Sequence, residues 1–128
     1  MARIDGDATE RLVERLRASV GDALQTVGVG WEPDEVEMYH VRDDLLAHRS
    51  MAEFEDVGVD LLADRHLEVG NLRRHGLEGP TVSGRLYQQA LLVVSWVEGW
   101  PVAVGTDPEP GHFPEVVETL TDVMAHPG

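Results

Sequence analysis

The sequence predicts an α+β fold: a mainly antiparallel sheet of about five strands with helices on its faces, in the order α-β-β-α-β-β-β-α. Three observations carry this. Apolar residues recur at helical spacing in three separate stretches. Between them lie alternating or continuous runs rich in Val, bounded by Gly and Pro turns. The 128 residues, 42% of them hydrophobic, suit one domain over 1–128 with its own core and flexible ends at about 1–6 and 126–128.

The first helix is expected from about Ala8 to Thr26. Asp7 with Glu10 fits a capping box. Leu12, Leu16, Val20, Ala23, Leu24 and Val27 form its apolar stripe, and Glu10, Arg11, Glu14, Arg15, Arg17 and Asp22 its solvated face. Gly28 is its expected C-terminal glycine. A hairpin follows, with strands Val27–Trp31 and Glu35–Arg42 around the turn Glu32-Pro33-Asp34-Glu35. Asp43 and Asp44 stop the second strand.

Ser50-Met51-Ala52-Glu53 is a capping box that opens a second helix, about Met51 to Glu68, with Phe54, Val57, Leu61 and Leu62 on its stripe. Gly58 sits inside it at a cost of about 1 kcal/mol against Ala. A close approach to another backbone would explain it. Gly70 to Pro80 reads as a loop. Three strands are expected next, Thr81–Gln88, Ala90–Val97 and Trp100–Gly105.

Glu98-Gly99 is a two-residue hairpin connection, and it sets a register. Val97 then faces Trp100, Ser95 faces Val102 and Val93 faces Val104. On the other side Trp96 faces Pro101, Val94 faces Ala103 and Leu92 faces Gly105. Both faces are mostly apolar, so both should be covered, either by helices or in part by a second copy of the chain. In this register Pro101 aims its missing N–H away from the preceding strand, and a strand on that outer side should need no bond there. Pro114 suits the first turn of a third helix, striped by Val116, Val117, Leu120, Val123 and Met124 and ending by Ala125.

The element order resembles the roadblock/longin kind of small domain. That resemblance implies helices on both faces of the sheet and frequent pairing of domains. Val36-Glu37-Met38-Tyr39-His40-Val41-Arg42-Asp43-Asp44, then Ser50-x-x-Glu53, then Val104-Gly105-Thr106-Asp107-Pro108, resembles a small haloarchaeal protein family. Its members show a strand ending in Tyr-x-x-Arg-Asp-Asp, a helix, and a later Val-x-x-Asp-Pro.

Composition bears on environment and on partners. Twenty-four Asp and Glu stand against ten Arg, with no Lys and no Cys, for a formal charge of −14. Such a surface repels itself at low salt. At molar salt the Debye length falls to about 3 Å and the repulsion is screened. This is the composition expected of a protein from a salt-in halophile; a GC-rich genome explains the missing Lys but explains −14 less well. Without Cys, disulfides and thiolate chemistry are excluded. The longest nearly apolar run, Ala90–Val97, falls far short of the ~20 residues of a spanning helix. No signal peptide is visible, and a cytoplasmic location without membrane attachment is expected. The charge opposes direct nucleic-acid binding, since Arg73-Arg74-His75 is the only basic cluster.

Candidate chemistry is sparse. Asp43 and Asp44 with His40 and His48 form a weak metal-ligand set, which would suit a metal-dependent hydrolase. The alternative is a strand-end turn in which Arg42 pairs with a carboxylate. No His-x-x-x-His, Gly-x-Ser-x-Gly or phosphate loop occurs, Ser50 is better explained as a cap, Ser83 has no evident His partner, and Gly79–Gly84 lacks dinucleotide spacing. No catalytic residue, metal or cofactor is therefore expected. Trp31, Trp96 and Trp100 are candidate contact residues for a partner, or else they complete a core poor in Phe. His75, Arg85 and Tyr87 are candidates to line a ligand pocket between the sheet and the Gly70–Pro80 loop. The reading that follows is a non-catalytic regulatory or scaffolding module, paired with itself or another protein. A small-ligand sensor is the alternative.

Overall fold

The computed structural model describes residues 6–74, 82–97 and 99–125. It contains α1 (Gly6–Val20), β1 (Leu24–Glu32), β2 (Glu35–Val41), a single-turn α2 (Asp43–Leu46), α3 (Met51–Arg74), β3 (Ser83–Leu86), β4 (Leu91–Val97), β5 (Trp100–Thr106) and α4 (His112–Ala125). All neighbouring strands are antiparallel, in the order β2-β1-β5-β4-β3. The α+β class and the strand count are as the sequence predicts.

The first helix is shorter than its stripe suggested. It ends at Val20, a 3-10 turn spans Gly21–Ala23, and β1 already starts at Leu24. The terminating glycine is Gly21, at φ +62°, and not Gly28, which lies inside β1. Leu24 and Val27 satisfy a helical stripe and an inward strand face equally well, which is why the boundary was misplaced. Asp7 lies in the first turn of α1, where its charge suits the helix dipole. The second helix runs six residues past Glu68 and carries Gly70 within it. Ser50 and Glu53 make the expected reciprocal cap: each side chain accepts the other's backbone N–H, at 3.2 Å.

The last hairpin has the expected register, from Val97 opposite Trp100 to Leu92 opposite Gly105. Gly99, at φ +83°, makes the turn. The β1–β5 ladder runs from Leu24 opposite Thr106 to Val29 opposite Val102 and stops one residue short of Pro101. A proline with no N–H to give sits where no bond is made.

The two faces of the sheet are filled differently. Val27, Val29 and Trp31 of β1, with Val102 and Val104 of β5 and Val93 of β4, bury against Leu12 and Leu16 of α1 and Val116 and Leu120 of α4. The other face carries α3, which packs on β2, β1 and β5. Here the buried cluster is small, formed by Val36, Leu62 and Val94. α3 comes close at two points. A Cβ on Gly58 would lie 2.9 Å from Val36 Cγ1, and one on Gly30 would lie 2.7 Å from Leu62 Cδ1. The close approach at Gly58 is therefore to a β2 side chain and not, as expected, to another backbone.

Candidate functional site

The strands' small residues create the most open feature of the α3 face. Along β1, Thr26, Gly28 and Gly30 alternate with Val27, Val29 and Trp31. Along β5, Ala103 and Gly105 alternate with Val102 and Val104. The register sets Gly28 beside Ala103 and Thr26 beside Gly105, so the small side chains form one depressed patch. α3 bridges this patch instead of filling it. The result is a cavity of about 310 Å³.

Its floor is Thr26, Gly28, Met38, Leu92 and Ala103, and its roof is Phe54, Val57, Gly58 and Leu61 of α3. Leu45, His48 and Arg49, on α2 and the turn after it, line a further side. Gln25, Val36, Gln89, Ala90 and Val104 complete it. The lining contains no Asp or Glu, although 24 of the 128 residues are acidic, and its basic side chains are His48 and Arg49. The volume lies at the lower end of ligand-sized pockets, and the mostly apolar wall with a few polar groups is typical of them.

An ion-pair network adjoins Gln25. Arg42 donates from Nε to Asp44 Oδ1 at 2.6 Å and from Nη2 to Oδ2 at 3.1 Å, a two-pronged grip. Its Nη1 donates to Asp107 Oδ1 at 3.0 Å and to the Asp22 carbonyl at 2.8 Å. The same Asp107 oxygen accepts from Gln25 Nε2 at 3.1 Å, and Gln25 also donates to the Gln89 carbonyl at 3.0 Å. The hydrogen bond with Asp44 raises the Arg42 pKa and holds that of Asp44 below its ordinary value. Arg-Asp-Asp and Asp-Pro, 65 residues apart at Arg42 and Asp107, thus meet in one clasp.

The candidate metal ligands are not brought together. Asp44 is held by Arg42. His48 lines the cavity on the α3 face. His40 lies opposite Val27, whose side chain faces α1 and α4. The turnover occurs at a bulge: Gly28 pairs with Met38 and Val27 with His40, leaving Tyr39 extra. Burial lowers the His40 pKa, and Arg17 and Arg42 lower it further, against a backbone hydrogen bond at Leu24 that raises it. Among the described residues no group of three or more His, Asp or Glu is placed to hold a metal ion.

Trp31 is 3% exposed, and its indole N–H donates to Glu37 Oε2 at 3.0 Å. It packs edge-to-face on Tyr39 at 6.3 Å and on Trp100 at 5.0 Å between ring centres. It is a core residue. Trp96 and Trp100 are half-buried and rim a second hollow of about 200 Å³ near Gly30 and Pro101. Of the expected pocket residues, Arg85 and Tyr87 are exposed on and beside β3 and do not line the larger cavity. His75 lies outside the described residues, as does most of the loop expected to close that pocket.

Sequence reasoning missed the actual lining. The signal that could have found it is the alternation of small and large residues on two adjacent strands.

No helix among the described residues is long and apolar enough to cross a membrane. No curated protein and no solved structure matches the chain. One family model spans residues 10–125, most of the chain, including every strand and all the cavity lining. The chain belongs to that family, DUF7522, a domain of unknown function.

Proposed function

We propose that this chain is a non-catalytic regulatory module that responds to a small ligand held between its sheet and α3, in the cytoplasm of a halophilic archaeon. The observation that carries the reading is the 310 Å³ cavity, apolar and free of carboxylates in a strongly acidic chain. Sites of this shape bind by burial and use a few polar groups for orientation. The ion-pair clasp supports the reading, because Arg42 already occupies the carboxylate that a hydrolase would need for a metal.

Thermal denaturation at molar KCl against a panel of small apolar compounds tests the proposal. A ligand that binds only the folded state raises the melting temperature with concentration. Ala103→Leu, which fills the floor, should remove that rise and leave the fold intact. A panel without effect on a folded protein sinks the reading.

A second reading is supported by the sheet edge. Leu86 is 54% exposed and Tyr87 46%, at and just beyond the end of the edge strand β3. An exposed strand edge with apolar side chains is a ready surface for pairing. The element order, with helices on both faces, resembles roadblock/longin domains, which often pair. A homodimer formed there would serve as a scaffold, and ligand binding could act through it. Light scattering at molar KCl decides: a monomer at micromolar concentration counts against the dimer.

A further inference from the structure

We infer that the cavity takes a small amphipathic carboxylate, with its apolar body against Gly28 and Ala103 and its carboxylate gripped by Arg49. This rests on the ligand-binding reading above and names the ligand class.

Size comes first. A dry cavity of about 150 Å³ accepts benzene, so 310 Å³ suits a body of roughly a dozen non-hydrogen atoms. The apolar wall excludes a ligand that is polar throughout, since its groups would be buried without partners.

Charge decides the head group. Arg49 is the one Arg in a lining without Asp or Glu, and among the described residues no carboxylate pairs with it. Arg11 and Arg17 likewise make no ion pair among the described residues, but Arg49 is the one Arg that borders this cavity. Arg42 shows the contrast, since its guanidinium is committed to two carboxylates and a carbonyl. The opposite end of the lining offers little to an anion, because Gln25 Nε2 already donates to Asp107 and to the Gln89 carbonyl. A guanidinium fork matches a carboxylate in geometry and in charge. A dianionic phosphate would leave one charge unmatched in a molecule already at −14. At molar salt long-range repulsion of an anion is screened beyond about 3 Å, so the contact pair governs.

Isothermal titration at molar KCl with phenylbutyrate and its neutral amide, phenylbutanamide, tests this. The wild type should bind the acid more tightly than the amide. Arg49→Gln, at an exposed position, should weaken the acid by about tenfold or more and leave the amide within about twofold. Ala103→Leu should lose both, with an unchanged circular dichroism spectrum. Equal affinity for acid and amide, or equal loss of both in Arg49→Gln, overturns the carboxylate assignment and leaves cavity binding standing. Failure of the folded wild type to bind either probe overturns both.

Discussion

Arg42 joins three segments through one side chain: its own helix α2, the 3-10 turn and the end of β5. Its two Asp neighbours in sequence have unequal roles. Asp44 receives two of its donors, whereas Asp43 receives none of the observed bonds. Arg42→Lys should not restore the clasp, because an ammonium cannot grip Asp44 in two places while reaching Asp107 and a carbonyl. Asp107→Ala removes acceptors from both Arg42 and Gln25 and should cost about 2 kcal/mol in urea denaturation. Asp43→Ala should change stability little. Similar losses for the two variants would show that the clasp does not hold these segments.

Two other residues make predictions at this scale. Ser95 is fully buried, and among the described residues its hydroxyl has no hydrogen-bond partner. A buried donor without a partner is costly, so Ser95→Ala should stabilise the fold by about 1 kcal/mol, read from the denaturation midpoint. His40 has a folded-state pKa below its ordinary 6.5, chiefly through burial. The unfolded chain then binds the proton more readily than the folded one. Stability from this residue is intact above 6.5 and declines as pH falls through that value. His40→Gln should flatten that part of the pH profile; a slope identical to wild type would remove His40 as its source.

At the scale of elements, α3 is placed by glycines and not by a continuous apolar stripe. Val57 is 44% exposed, and the helix rests on the sheet where Gly58 meets Val36 and Leu62 meets Gly30. Gly58→Val would put a branched side chain against Val36 with no room. Overpacking typically costs 1–3 kcal/mol, against a few tenths gained from helix propensity, so a net loss of about 2 kcal/mol is expected in thermal unfolding. A more stable variant would mean that α3 can lift off the sheet freely. The same helix illustrates the limit of glycine as a stop signal. Gly58 and Gly70 both lie inside it, whereas Gly21, with its positive φ, ends a helix.

For the whole molecule, the acid residues stay outside. Among the described residues none is buried, and only Glu55 and Asp107 are even half-covered. Self-repulsion at −14 should therefore be relieved by salt without disturbing the cores. Circular dichroism across a KCl series should show structure gained with salt. Full structure without added salt would defeat the halophilic assignment.

Periodicity together with local turn and capping motifs determined the fold class, the last hairpin with its register, the Ser50–Glu53 cap and the two-sided covering of the sheet. These depend on contacts near in sequence or on a period of two, and both are visible in a string of letters. The end of α1 was not legible, because Leu24 and Val27 suit a helix stripe and a strand face alike. The site was only half legible. Arg42-Asp43-Asp44 and Asp107-Pro108 stood out as pieces, but their joining depends on β1 and β5 lying side by side. The cavity was decided by tertiary structure altogether. It exists because β1 and β5 align their small residues on one face, and because α3 is held at the Gly58 and Gly30 contacts and so spans the patch without filling it.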